Sequence, residues 1–231
     1  MKDRIIKSKF YQNCLRFNIF YLVLPIIIYL IMWLCYNLAI FINHNEVILE
    51  HEIDKHIPYI KYFVVLYFTY YFMPIVLLWA ISFKNKNKYY FCLLVLCINN
   101  LLCYIFYCFY SVKVIRESSV NINMSLCDIN SFDSIFDYLV SFIYRIDKDA
   151  LNSLPSIHAG TGLLMIIMSI PDKRCKLNIW LIVFGIFSGI GCILSTVFIK
   201  QHNLIDVIVG LILMLVVYTI AFIINKYKIK S

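Results

Sequence analysis

Charge is scarce in these 231 residues: 15% are Asp, Glu, Lys or Arg, against 62% apolar. A water-soluble domain of this length needs more polar surface than that supplies, so the soluble class is excluded. The fingerprints of several function classes are also missing. The nine cysteines make no C-x-x-C and no paired metal spacing, and there is no zinc signature, P-loop or dinucleotide-binding fingerprint. Most cysteines, including Cys92, Cys97, Cys103 and Cys108, fall inside apolar runs, where the residue behaves as a small apolar one. Cys127 alone lies clearly in a polar loop on its side of the chain, which leaves a structural disulfide without a partner. No cleavable signal is expected, because the first apolar run is too long and lacks a small-residue cleavage site. The apolar runs are almost free of internal charge, unlike the ion pathways of transporters, and no internal repeat is visible.

What the chain does have is apolar runs of the ~18 or more residues that suggest membrane spans. They predict an all-α polytopic membrane protein, a six-transmembrane helix bundle. The helices are expected at roughly 18–42, 59–83, 89–110, 155–170, 177–198 and 203–224. The fourth is short for a bilayer and is expected to start within the outer interface. Residues 1–17 read as a cytoplasmic basic tail lying against anionic lipid, 18–224 as the six-helix membrane domain and 225–231 as a second cytoplasmic tail.

Basic residues fix the predicted orientation. Fourteen of the 21 fall on the side of the N-terminus: Lys2, Arg4, Lys7, Lys9, Arg16, Lys84, Lys86, Lys88, Lys173, Arg174, Lys176, Lys226, Lys228 and Lys230. Only Asp3 and Asp172 carry negative charge there. This bias places both termini in the cytoplasm. The net charge of +8 is therefore a topology signal, and nucleic acid is not an expected partner.

The outer loops divide in two. Asn43 to Pro58 carries His44, His51 and His56 among Glu46, Glu50, Glu52 and Asp54, at spacings that give no ligand geometry, and reads as a solvated interfacial segment. Residues 111–153 form the longest loop, with a short surface helix expected around Ile135, Phe136 and Tyr138. The aromatics from Tyr59 to Tyr71 and from Tyr104 to Tyr110 read as interface belts and packing surface.

Two polar stretches stand at the mouths of spans. In Ser195-Thr196-Val197-Phe198-Ile199-Lys200-Gln201-His202-Asn203-Leu204-Ile205-Asp206, His202 and Asp206 are four apart and share a helix face. A carboxylate there can hold one imidazole nitrogen and leave the other free to attack or take a proton. In Asn152-Ser153-Leu154-Pro155-Ser156-Ile157-His158, Pro155 signals a helix start, and Ser153 or Ser156 can cap it. First-turn amides beside a histidine make an anion site.

These residues resemble the type-2 phosphatidic acid phosphatase superfamily, whose second motif is P-S-G-H and third is S-R-x5-H-x3-D. Pro155, Ser156 and His158 match the second, with Ile157 for glycine. Ser195, His202 and Asp206 match the third, with Thr196 for arginine. Lys200-Gln201-His202 and the run from Arg145 and Asp147 through Asn152 resemble its membrane branch of inositol-phosphoceramide-synthase-like proteins. Arg116 falls on the arginine of that branch's P-T-x-x-x-R-P, whose prolines and threonine are absent here. The resemblance implies His202 as nucleophile forming a phosphohistidine, Asp206 orienting its ring, and His158 as general acid and base. It also implies Arg116, Ser156, Lys200 and Ser195 as phosphate ligands, no metal or cofactor, and a lipid phosphate or pyrophosphate as substrate. Hydrolysis, transfer of a phospho-headgroup to an alcohol such as inositol, and a non-catalytic membrane protein are the readings left open. A second copy of the chain is a candidate partner.

Overall fold

A computed structural model describes residues 19–42, 46–172 and 175–230, with side chains as far as Lys226. The expected basic tail at 1–17, His44, Lys173 and Arg174 lie outside the described residues. Eight α-helices carry the described chain. Five stretches are long and apolar enough to cross a membrane: helix α1 (Phe20–Ile42), the run Lys61–Ser82 ending in the helix Val64–Ser82, the helix Lys86–Phe109, the helix Ile179–Phe198, and the first 23 residues of the helix Leu204–Lys230. Counting the short helix α2 (Glu52–His56), these are α1, α3, α4, α7 and α8, with α5 (Phe132–Ile146) and α6 (Ile157–Ser169) between them.

Local sequence accounts for the ends. Asn85 accepts from Lys88 N at 3.0 Å and caps α4, and Asn178 accepts from Trp180 N at 2.9 Å and caps α7. A short side-chain oxygen satisfies amides that the first turn leaves free. At α6 the cap is Ser156, whose Oγ accepts from Ala159 N at 3.2 Å. The last helix runs on through Lys230, into the stretch read as a tail, because no glycine or proline stops it.

The fourth expected span is the outlier. Helix α6 has 13 residues, about 20 Å at 1.5 Å per residue, against the ~30 Å of a hydrocarbon core. It is also the inner helix: nine of its residues are buried, and it packs on α3, α4, α7 and α8. Glycines let it do so. A Cβ on Gly189 of α7 would stand 2.6 Å from Gly162 O of α6, and one on Gly162 would stand 2.8 Å from Gly189 O. Small residues bring helix backbones together where no hydrophobic effect drives them. The outward faces of α1, α7 and α8 remain apolar and exposed, as at Trp33, Leu38, Phe187 and Ile220.

Two outer segments complete the fold. The expected short surface helix is the 15-residue α5, begun by Ser131, whose Oγ accepts from Ser134 N. Lys61 Nζ ties it down through Asp133 and Asp137 at 2.6 and 2.7 Å. The loop between α1 and α3 is largely exposed, as its polar composition suggests, but it is also tied down. Its strand β1 (Val47–Ile48) pairs in parallel with β2 (Val112–Lys113), and Lys113 Nζ reaches Glu46 at 2.7 Å. Asp54 is buried, accepting from His51 N at 3.0 Å and Leu204 N at 2.8 Å. The loop is a strap laid across the start of α8.

Candidate active site

The turn between α7 and α8 sets the position of His202. Gln201 N and His202 N both donate to Thr196 O, at 2.9 and 3.0 Å, and Lys200 N donates to Val197 O at 3.1 Å. This is the Schellman pattern, which needs a left-handed residue just past the helix. Lys200 takes that place with φ of 54°, where a side chain costs more than glycine. Its ammonium is tethered to the strap, donating to Asp54 O at 2.8 Å and Ile57 O at 2.7 Å. The tether holds the unusual backbone.

His202 is only 6% exposed. Its Nδ1 lies 2.9 Å from Ser153 O. A carbonyl can only accept, so Nδ1 carries the proton and Nε2 bears the lone pair. That Nε2 is 3.2 Å from His158 Nδ1. The second ring sits at the first turn of α6, between Tyr67 (centroids 4.6 Å, stacked) and Tyr70 (4.2 Å) of α3. Two histidines 44 residues apart thus meet nitrogen to nitrogen.

Asp206 is fully buried, with Oδ2 3.8 Å from His202 Nδ1 and accepting from Asn203 N at 2.9 Å. Ser153 O, and not the carboxylate, therefore takes the imidazole proton. The carboxylate still lies close enough to stabilise a positive ring. Helix α8 comes close enough to place it because Gly210 lacks a side chain: a Cβ there would stand 2.3 Å from Ser156 O.

The expected phosphate ligands fare differently. Ser195 Oγ donates to Cys192 O at 2.8 Å and Thr196 Oγ1 to Ile193 O at 2.7 Å, both turned into their own helix. Ser156 Oγ is the α6 cap. Arg116 lines the cleft beside Lys200, His202 and Asn203, with Glu50 and Glu117 at its edge, around a volume of about 160 Å³. Its guanidinium, however, is engaged by protein. One terminal nitrogen donates to Tyr144 O and Asp147 O, the other to the Asp147 carboxylate and Gln201 Oε1. The Tyr144 ring lies against it at 4.6 Å, and burial pushes that phenol up to about 12. Burial raises the Asp147 carboxyl above its usual range, partly countered by Arg116, Tyr36 and His202.

Sequence reasoning missed Tyr67, Tyr70 and the Asp54 strap, and gave Ser153 and Gln201 no contact with the catalytic ring or the arginine. The i, i+3 spacing of Tyr67 and Tyr70 puts them on one helix face, a signal hidden in an aromatic-rich run. A carbonyl such as Ser153 O leaves no trace in residue type. Among the described residues, no group of three or more His, Cys, Asp or Glu is placed to hold a metal ion. Compared with known proteins, residues 37–220 match the family model described as the PAP2 superfamily. No curated protein and no solved structure matches the chain.

Proposed function

This chain belongs to the PAP2 superfamily, whose members are phosphatases or related phosphotransferases, and on that premise we propose that it hydrolyses a lipid phosphate or pyrophosphate through a phosphohistidine. The observation that carries the reading is the pair of facing rings, His202 Nε2 to His158 Nδ1 at 3.2 Å, with the His202 proton held by Ser153 O. The lone pair of Nε2 forms the N–P bond while the P–O bond to the lipid breaks. His158, doubly protonated beside the anionic phosphoryl group, gives a proton to the departing alkoxide and becomes neutral. It then takes a proton from water, whose oxygen bonds phosphorus as the N–P bond breaks. Asp206 balances the positive charge of the phosphorylated ring.

The wider reading has six spans, α6 being the shortest, with both termini cytoplasmic and the site at the extracytoplasmic face. It keeps residues 1–17 and the last few residues as cytoplasmic segments flanking one membrane catalytic domain. The basic-residue bias supports it. Glu50 and Glu117, at the cleft's edge, can accept hydroxyl protons and favour a second reading, transfer of a phospho-headgroup to an alcohol such as inositol. Lys200-Gln201-His202 and the run from Arg145 and Asp147 through Asn152 support placement near the inositol-phosphoceramide-synthase-like branch.

The test is trapping. Purified protein turning over phosphorus-labelled lipid phosphates should yield an acid-labile, base-stable phosphoenzyme, absent in His202→Ala. Adding inositol or another alcohol separates the readings, since a labelled alcohol phosphate in place of free phosphate indicates transfer. Normal turnover by His202→Ala would overturn the scheme.

A further inference from the structure

We propose that the phosphoryl oxygens are received by Asn152, Ser153, Gln201 and the Nε of Arg116, in place of the Lys200 and Ser195 that the motifs single out. The inference rests on the reading of this site as a phosphoryl-transfer centre and names the donors that such a centre needs.

Four donor atoms in the site are buried and without a hydrogen-bond partner: Arg116 Nε, Asn152 Nδ2, Ser153 Oγ and Gln201 Nε2. A buried donor left unmade is rare, and a group of them marks a missing acceptor. The amide assignment at Gln201 follows from chemistry. Its Oε1 is 3.2 Å from an Arg116 nitrogen, and a guanidinium has only donors, so Nε2 is the end left free.

All four lie close to His202 in the chain or through its hydrogen bonds. Gln201 precedes His202 in the chain. Ser153 bonds the His202 ring through its carbonyl, and Asn152 is its neighbour. Arg116 bonds Gln201. Each donor is therefore within two links, covalent or hydrogen-bonded, of His202. Asn152 is held at φ of 59°, a left-handed conformation that asparagine tolerates better than most side chains, with its Oδ1 accepting from Ser111 at 3.0 Å. That bond leaves Nδ2 as the free end.

Two of the residues expected from the motifs, Lys200 and Ser195, are engaged elsewhere. Lys200 gives two of its protons to strap carbonyls, and Ser195 donates within its own helix. All four terminal N–H bonds of Arg116 go to protein acceptors. What these four atoms offer a tetrahedral oxyanion is one cationic N–H, two amide NH₂ groups and one hydroxyl.

Binding of orthovanadate and of inorganic phosphate to the full chain in detergent, measured by calorimetry, tests this without turnover. Ser153→Ala, Gln201→Met and Asn152→Gly should each weaken binding by about tenfold to a hundredfold, the worth of one hydrogen bond to a charged group. Ser153→Ala removes a hydroxyl that has no partner, so its melting temperature should not fall. Ser141→Ala removes a similarly unpartnered buried hydroxyl of α5 and should leave binding unchanged. Full-strength binding by the three cradle variants, or loss confined to a Lys200→Met variant, would overturn the cradle while leaving the phosphoryl-transfer reading intact. If the unmodified chain bound neither anion, and also formed no phosphoenzyme, that reading would fall as well.

Discussion

At the scale of the residue, the chemistry turns on which atom holds the His202 proton. Ser153 O accepts it at 2.9 Å, while Asp206 stands 3.8 Å away. In a triad whose carboxylate holds the imidazole proton, changing that acid to its amide costs about 10⁴-fold because the wrong tautomer results. Here a backbone carbonyl does that work, and no side-chain change removes it. Asp206→Asn keeps an oxygen for Asn203 N and loses only the charge facing the ring. We therefore expect turnover to fall by roughly 10- to 100-fold, the scale of a charge a few ångströms from the ring in a partly screened site, with the phosphoenzyme still formed. Steady-state rates and phosphoenzyme trapping on the same preparation check this. A loss near 10⁴-fold would return the tautomer to Asp206.

Two elements work as mechanical parts. The strap from Glu46 to Ile57 is pinned by Asp54, whose two carboxylate oxygens serve two backbone amides, His51 N and Leu204 N. Asp54→Asn offers one oxygen and an NH₂ group in their place, leaving one amide unmade at a cost of about 1–3 kcal/mol. The strap should then open more often, and trypsin should cut after the exposed Lys55 several-fold faster than in the unmodified protein. Unchanged cleavage would mean that strand pairing and the Lys200 tether suffice to hold it. The contact of α6 with α7 is the second part. In Gly189→Ala the new methyl meets Gly162 O at 2.6 Å, so the helices must separate at a cost of about 1–3 kcal/mol. A lower melting temperature in detergent, with turnover reduced because α6 carries His158, is the expected result. An unaltered melting temperature would show that the pair has slack.

At the scale of the whole molecule, the open question is which way the bundle faces. Cys127 is exposed on the long loop before α5, whereas Cys175 is buried and cannot report on its side of the membrane. Lys176 is exposed beside it. A membrane-impermeant thiol reagent should label Cys127 in sealed right-side-out vesicles. It should leave a Lys176→Cys, Cys127→Ser variant unlabelled until the vesicles are opened. The reverse pattern would invert the orientation drawn from the basic residues. Together with the strap, the orientation decides which leaflet can feed the cleft.

Composition by itself determined that this is a helical membrane protein, because charge so scarce cannot coat a soluble surface and long apolar runs have one stable state in lipid. Residue spacing also determined the candidate pair, since motifs at the mouths of two runs bring His158 and His202 to the same end of a bundle. It located the helices to within a few residues, as caps such as Asn85, Asn178 and Ser156 act locally. Tertiary structure decided the rest. It placed Ser153 O on the ring, turned Ser195 and Thr196 into α7, and spent Lys200 on the strap carbonyls. It set Arg116 into an ion pair with Asp147, 31 residues later in the chain. Ser195 and Thr196 bond carbonyls three residues back in their own helix, but the other outcomes depend on acceptors supplied from far along the chain, often by a backbone carbonyl. Residue type shows what a side chain can donate; only the fold determines which acceptor reaches it first.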